Sequence, residues 1–322
     1  MTITKKTTYI IFLFFLFITK SGAQNIEKYY DYRWKECKPD TARFYSKIAK
    51  TDSGYLRKDY YIRERRLQMS GVYSDSLCEI KNGKFTYYHA NGVPGSFGKF
   101  VQNKRDGLWL SYYNNSFIRD STIYSNGEII GTSLSWHSNG YPSDSISLNE
   151  DRSGIQFSWF DNGIPAAVGR YSTGMKQHGK WKYFHKNGNV SSIEIYNESK
   201  LVNKQYFNEK GELLADTTNT DRHAQFKEGI EAWLKYISDH LYFPSAYKIV
   251  NADVAKVVVT FTVNENGDIE NIFTSTPFDK RFDVIAENVI KKSPKWIPAI
   301  QHNRYVKEVM NQPVTFQNYR EN

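Results

Sequence analysis

Gly179-Lys-Trp181-Lys-Tyr183-Phe184-His185-Lys-Asn187-Gly188 decides the fold, because its pattern recurs along the chain. The pattern Gly-x-x-x-x-aromatic-x-x-Asn-Gly also starts at Gly83, Gly107, Gly131 and Gly154, and a degraded sixth copy starts at Val202. The turn positions fall at residues 92, 116, 140, 163, 188 and 211, so the period is close to 24 residues. Such self-similarity marks a repeat architecture. Asn-Gly is the strongest short hairpin signal, and the stretch before it is aromatic-rich, as strands are. A second strand ends eight residues beyond the turn, in Phe100, Tyr124, Leu148, Tyr171 and Tyr196. Further turns such as Ser125-Asn126-Gly127 and Thr173-Gly174 then return the chain to the next copy. Each unit is an up-and-down hairpin that cannot bury its apolar face alone, so the units must continue one another in an extended meander.

Working outward, residues 24–82 carry no clear repeat but read as further strands at 42–50, 55–62 and 67–73. They are expected to form an N-terminal β cap over the first edge of the array. Their Cys37 and Cys78 are the only cysteines. In an exported chain such a pair either forms a disulfide worth about 3–4 kcal/mol or stays as two inert thiols.

The export reading rests on residues 1–23. Lys5 and Lys6 precede the apolar run YIIFLFFLFI at 9–18, and Ser21-Gly22-Ala23 supplies small residues for cleavage before Gln24. This is the pattern of a signal peptide, and the run falls short of the ~20 residues that span a bilayer. The alternative is an uncleaved anchor that borrows flanking residues; membrane association is expected only in that case. The formal net charge is +9; removing Lys5, Lys6 and Lys20 leaves +6, spread through the middle of the chain. A dispersed surplus on an exported chain without a recognition motif is read as solvated surface, with no nucleic-acid partner.

Past a polar linker at 212–222 the periodicity changes. Phe226, Ile230, Trp233, Leu234, Ile237 and Leu241 recur at helical spacing, with Pro244 as the stop. Residues 254–263 (VAKVVVTFTV) read as a strand, Asn264-Glu-Asn-Gly267 as a hairpin turn and 268–274 as its partner. A helix follows over 278–292 with Phe282, Ile285 and Val289 inward, then a strand over 305–316. The fold class expected is therefore mostly β, an antiparallel hairpin meander followed by a C-terminal α+β domain.

Two resemblances attach to these segments. Residues 83–211 resemble the MORN-repeat variant family, whose unit looks like G-x-W-x-x-Y-x-x-N-G. The copy at Gly179 matches it best, while Ser116, Val202, Ser133 and Gln156 depart from it. Some bacterial members carry an antitoxin label, which the export segment makes inapt here. Residues 223–317 resemble the C-terminal domain of TonB through Tyr242-Phe-Pro244-Ser-Ala246, Val257-Val-Val-Thr-Phe261-Thr-Val263, Trp296-Ile-Pro298-Ala299 and Pro313-Val-Thr-Phe316. Ala255 and Ala299 stand where that family commonly has Gly. The resemblance implies a three-stranded antiparallel sheet with two helices on one face. It also implies that the last strand, with Tyr305, Val306, Val309, Val314 and Phe316, docks a short receptor peptide by strand addition. The competing expectation is that this strand only completes the sheet and is covered by the repeats.

No catalytic constellation appears: there is no H-E-x-x-H, no G-x-S-x-G and no phosphate loop. His89, His137 and His185 share one repeat position without Cys or Asp at ligand spacing, so they read as repeat-surface residues. The expectation is a non-enzymatic, cofactor-free binding or scaffold protein of a bacterial periplasm or envelope. Its expected partner is an envelope protein or outer-membrane receptor peptide. The alternative is a divergent TonB-type energy transducer that retains its anchor. Against that stands the absence of a Pro-rich spacer, since the chain has nine prolines in all.

Overall fold

The computed structural model describes residues 26–63, 65–244, 247, 249 and 254–317. Residues 1–25, with the expected signal peptide and its cleavage point, and Ser245-Ala246 of the motif that resembles TonB lie outside the described residues. Among the described residues no helix is long and apolar enough to cross a membrane.

Fifteen consecutive strands form one antiparallel sheet in which each strand pairs with its sequence neighbours. The expected cap supplies β1 (Ile26–Tyr30), β2 (Phe44–Thr51), β3 (Gly54–Tyr61) and β4 (Leu67–Tyr73), so it continues the meander. Next come β5 (Lys81–Tyr88), β6 (Pro94–Val101), β7 (Lys104–Tyr112), β8 (Ile118–Ser125), β9 (Glu128–Trp136) and β10 (Pro142–Leu148). The last five are β11 (Gly154–Trp159), β12 (Pro165–Ser172), β13 (Lys176–Phe184), β14 (Val190–Asn197) and β15 (Lys200–Tyr206).

The two ends of the hairpins are built differently. At the Asn-Gly end the glycine takes the left-handed conformation, with φ +89 at Gly92 and +92 at Gly188, and the Asn does not. The Asn works through its side chain instead. Asn91 Oδ1 accepts the Val93 N–H at 3.1 Å, and Asn187 Oδ1 accepts that of Asn189 at 3.0 Å. The opposite end uses two-residue turns with both residues at positive φ at Gln102-Asn103, Asn126-Gly127 and Glu198-Ser199, and longer links at 149–153 and 173–175. The two-residue type I′ turns match the strand twist.

One sheet face is buried by large rings lying over glycines on the neighbouring strand. Phe85, Trp109 and Trp181 are 1–2% exposed, and a Cβ at Gly71, Gly98 or Gly169 would overlap their rings. Trp109 Nε1 donates to Lys99 O at 3.0 Å, and Trp181 Nε1 to Arg170 O at 3.1 Å. Copies three and four lack this ring and fill its place with hydrogen bonds. Thr122 and Ser133 hydroxyls meet at 2.7 Å, while Gln156 binds Asp144 and the Tyr171 hydroxyl.

The C-terminal domain comprises α1 (Gly229–His240), β16 (Val254–Val263), β17 (Ile269–Thr276), α2 (Lys280–Lys291), β18 (Ala299–Gln301), β19 (Arg304–Val306) and β20 (Glu308–Gln317). Its sheet has the order β17-β16-β20. Alternate residues of β16, Ala255, Val257, Val259, Phe261 and Val263, are at most 1% exposed and pack with Trp233 and Ile237 of α1 and Phe282, Ile285 and Val289 of α2. The α+β architecture is thus the one expected. Two helix positions differ: Ile230 and Leu234 are exposed, because α1 turns only Trp233 and Ile237 into the core.

Candidate functional site

The expected strand 305–316 is two strands. Tyr305 and Val306 belong to β19, which pairs only with β18 in a short separate hairpin. β20 alone joins the sheet, in ten unbroken pairs with β16 from Val263↔Glu308 to Val254↔Gln317. Val314 and Phe316 are core residues at 1% and 2% exposure, whereas Val309 is 65% exposed. The five candidate residues therefore divide into hairpin (Tyr305, Val306), core (Val314, Phe316) and surface (Val309).

Among the described residues β20 is the outermost strand on its side of the sheet. Pro313 tells which backbone groups face outward. It stands opposite Val258, whose carbonyl accepts from Ser275 on the β17 side, so this pair is not bonded across to β20. Strand alternation then aims the backbone groups of Val309, Asn311, Pro313, Thr315 and Gln317 at the free edge. Pro313 has no N–H to offer there, and its carbonyl accepts from the Gln312 side chain at 2.8 Å. A proline at such a position leaves the ladder intact and blunts the edge against indiscriminate pairing. Beside this edge runs a cleft of about 330 Å³ between residues 312–317 and Leu234, Ile237, Leu241 and Tyr242. Leu234 and Tyr242 are 53% and 64% exposed. Trp233 Nε1 holds Gln312 at 2.7 Å and so ties α1 to the strand.

The meander meets this domain on its other side. Lys256 Nζ reaches Tyr32, Arg43 donates to the carbonyls of Lys256 and Pro277, and Arg63 pairs with Asp279. At the far end Lys186 bridges Asp161 and Glu265, and Lys307 bridges Asp161 and Glu270. Burial would raise the Asp161 carboxyl, but Lys307 and Lys186 hold it down to about 2. Among the described residues, the hydrogen bonds of β20 from Val309 onward stay within the C-terminal domain.

The most specific contact is a missing rung. Along the Asn-Gly end, one residue per copy donates to the carbonyl of the next copy's aromatic. His89 reaches Tyr112 O at 2.9 Å, Tyr113 Trp136 O at 2.8 Å, His137 Trp159 O at 2.8 Å and His185 Phe207 O at 2.9 Å. The Asn side chains form a parallel row, from Asn91 on Asn114 O to Asn187 on Glu209 O. The repeat-position histidines are thus structural donors, not loose surface groups, and His185 is only 8% exposed. Copy four has Phe160 in that column, which has nothing to donate. Arg304 takes its place: Nη1 donates to Phe184 O at 2.7 Å and to Ala166 O, with the guanidinium 5.1 Å from the Phe160 ring. Burial lowers the Arg304 pKa to about 10, so it remains a cation.

The neighbouring residues of the β18–β19 turn complete the grip. His302 stacks on Tyr183 with centroids 3.5 Å apart, and its Nδ1 meets the 3%-exposed Glu194 at 3.0 Å. Burial alone would raise the Glu194 carboxyl; hydrogen bonds from His302, Tyr196 and Ser192 hold it below the usual carboxylate range. Asn303 Nδ2 donates to Ser191 O and Phe207 O. Both turn residues have positive φ. The sequence signals for this site were Phe160 breaking the donor column and the His-Asn pair between two short apolar runs.

Cys37 and Cys78 are separate free thiols in the structure. Cys78 packs in the core beside Tyr73 and Phe85, and burial pushes its thiol up to about 11. Among the described residues no group of three or more His, Cys, Asp or Glu is placed to hold a metal ion. No family model and no curated protein matches the chain.

Proposed function

We propose that this chain is a non-enzymatic binding protein of a bacterial envelope that captures an extended peptide by strand addition along β20. The observation that carries the reading is the free edge of β20, running beside a cleft with exposed Leu234 and Tyr242 while the meander holds the opposite side of the domain. Strand addition draws affinity from main-chain hydrogen bonds and specificity from pockets for alternate side chains. The edge offers N–H groups at Val309, Asn311, Thr315 and Gln317, and the cleft lies next to the last two. A docked segment is therefore expected to centre on Thr315. The export segment and the resemblance to the TonB module support an envelope setting. In this reading the meander is a brace that fixes the docking domain, which sets the chain apart from a transducer with a long spacer.

A photoreactive residue at Gln317 or Tyr242, activated in whole cells, tests this. The expected result is a discrete crosslinked partner from both positions and none from Ile193, on the outer face of the meander. Crosslinking from Ile193 alone would overturn the reading. Mass spectrometry of the mature N-terminus addresses the alternative: a start at Gln24 excludes an anchored energy transducer.

A further inference from the structure

The meander face opposite the buried rings is open, and part of it has the make-up of a ligand site. Ile155 and Phe157 on β11 and Val168 on β12 share this face, because Phe157 pairs with Val168 and Val168 with Lys182. Ile155 and Phe157 are each 42% exposed. Next to them on the same face stand Arg170, which pairs with Ile155, and Lys180 and Lys182 on β13. These six residues border one concavity of about 690 Å³. That is the size range of small-molecule sites.

The charges here are uncompensated. Arg170, Lys180 and Lys182 have no ion-pair partner among the described residues, whereas Lys176 on the same strand as Lys180 pairs with Glu198. Glu198, which meets the lining residue His178, is already engaged by Lys176, His178 and Ser172. Three unpaired cations beside an exposed aromatic and two aliphatic side chains suit one kind of molecule, with an apolar body and an anionic end. Because the apolar groups line a concavity, the arrangement suits a ligand that enters the protein, not a bilayer that the protein enters.

We infer that this concavity binds a single-chain anionic amphiphile, an acyl chain ending in a carboxylate or phosphate, taken up as a monomer. The apolar chain lies over Ile155, Phe157 and Val168, and the anion meets Arg170, Lys180 and Lys182. The site is independent of the β20 edge.

Titration calorimetry of the full chain with laurate below its micelle concentration tests the inference, with dodecyl maltoside as the uncharged comparator. Laurate is expected to bind once per chain and dodecyl maltoside much more weakly. Reversing two cations together, Lys180→Glu with Lys182→Glu, should weaken laurate by roughly tenfold or more. Phe157→Ser should weaken it too, with the melting temperature of both variants checked against the parent. Equal binding of the two detergents, laurate binding untouched by the charge reversal, or no laurate binding at all would each overturn the inference. So would binding confined to vesicles of phosphatidylglycerol and phosphatidylcholine, which would make this a membrane-docking face.

Discussion

The meander and the C-terminal domain solve burial in opposite ways. In the meander, rings such as Trp181 lie over a glycine one strand away and most turns donate to the next, so the contacts within the array are local. In the C-terminal domain Trp233, Phe261, Phe282 and Phe316 converge on a single core from elements far apart in sequence. The first design is additive along the chain, as in other repeat arrays, and the second is all-or-none. They meet where the array breaks its own rule, at Phe160, and the globular domain supplies the donor that the repeat lacks.

The largest effects should separate the two designs. Trp233→Ala and Trp181→Ala each remove a buried indole, a change that costs about 3–5 kcal/mol. Hydrogen exchange is expected to show Trp233→Ala loosening β16, β17, β20 and both helices together. Trp181→Ala should loosen β12 to β15 and leave β2 to β6 protected. Uniform loss across the meander would break the comparison.

Next in size is the junction. Arg304→Met leaves the Phe184 and Ala166 carbonyls without this donor, for a cost of about 2–3 kcal/mol. Phe160→His should recover part of that loss in the Arg304→Met background, because it gives copy four the donor its neighbours have. In the parent background the same change should gain little. A double variant no more stable than Arg304→Met alone would refute the missing-rung account.

Acid should act on the same junction. The carboxyls of Glu194 and Asp161 are held below their ordinary values in the folded state. The stability they contribute is therefore complete above their unfolded values and is lost as pH falls through the folded ones. The contacts of His302, Lys186 and Lys307 are expected to weaken from about pH 4 downward towards the Asp161 value of about 2. Fluorescence of Trp181, which lies near the Tyr183–His302 stack, reports it. The smallest effect is a gain: Ser116 holds φ +71 where the other copies have Gly, so Ser116→Gly should stabilise by about 1 kcal/mol in thermal melts.

The difference between the two regions also governs what could be read beforehand. The repeat was legible because one hairpin solution recurs, so turn positions, strand ends and the inward rings all follow from one aligned pattern. Copies three and four were visible as exceptions at Ser133 and Gln156, but their replacement by a hydrogen-bonded network depends on Asp144 and Tyr171 from other strands. In the C-terminal domain the strand Val254–Val263 was plain from its apolar run. The break at Lys307 was not, because Tyr305 and Val306 continue an apolar alternation that only pairing with β18 interrupts. At the Asn-Gly turns the two residues divide the work: the glycine supplies the left-handed backbone and the Asn supplies its side-chain amide. Arg304 could not be anticipated, since its acceptors lie 120 and 138 residues away.

In the proposed function the free edge of β20 is the working surface and the meander braces it. Thr315→Pro tests this most directly, because it removes one outward N–H without touching the ladder to β16, as Pro313 already does two residues earlier. With crosslinking from Tyr242 as the readout, the account predicts that the partner is lost while the melting temperature stays close to that of the parent chain. A stable Thr315→Pro protein that still captures its partner from Tyr242 would contradict it.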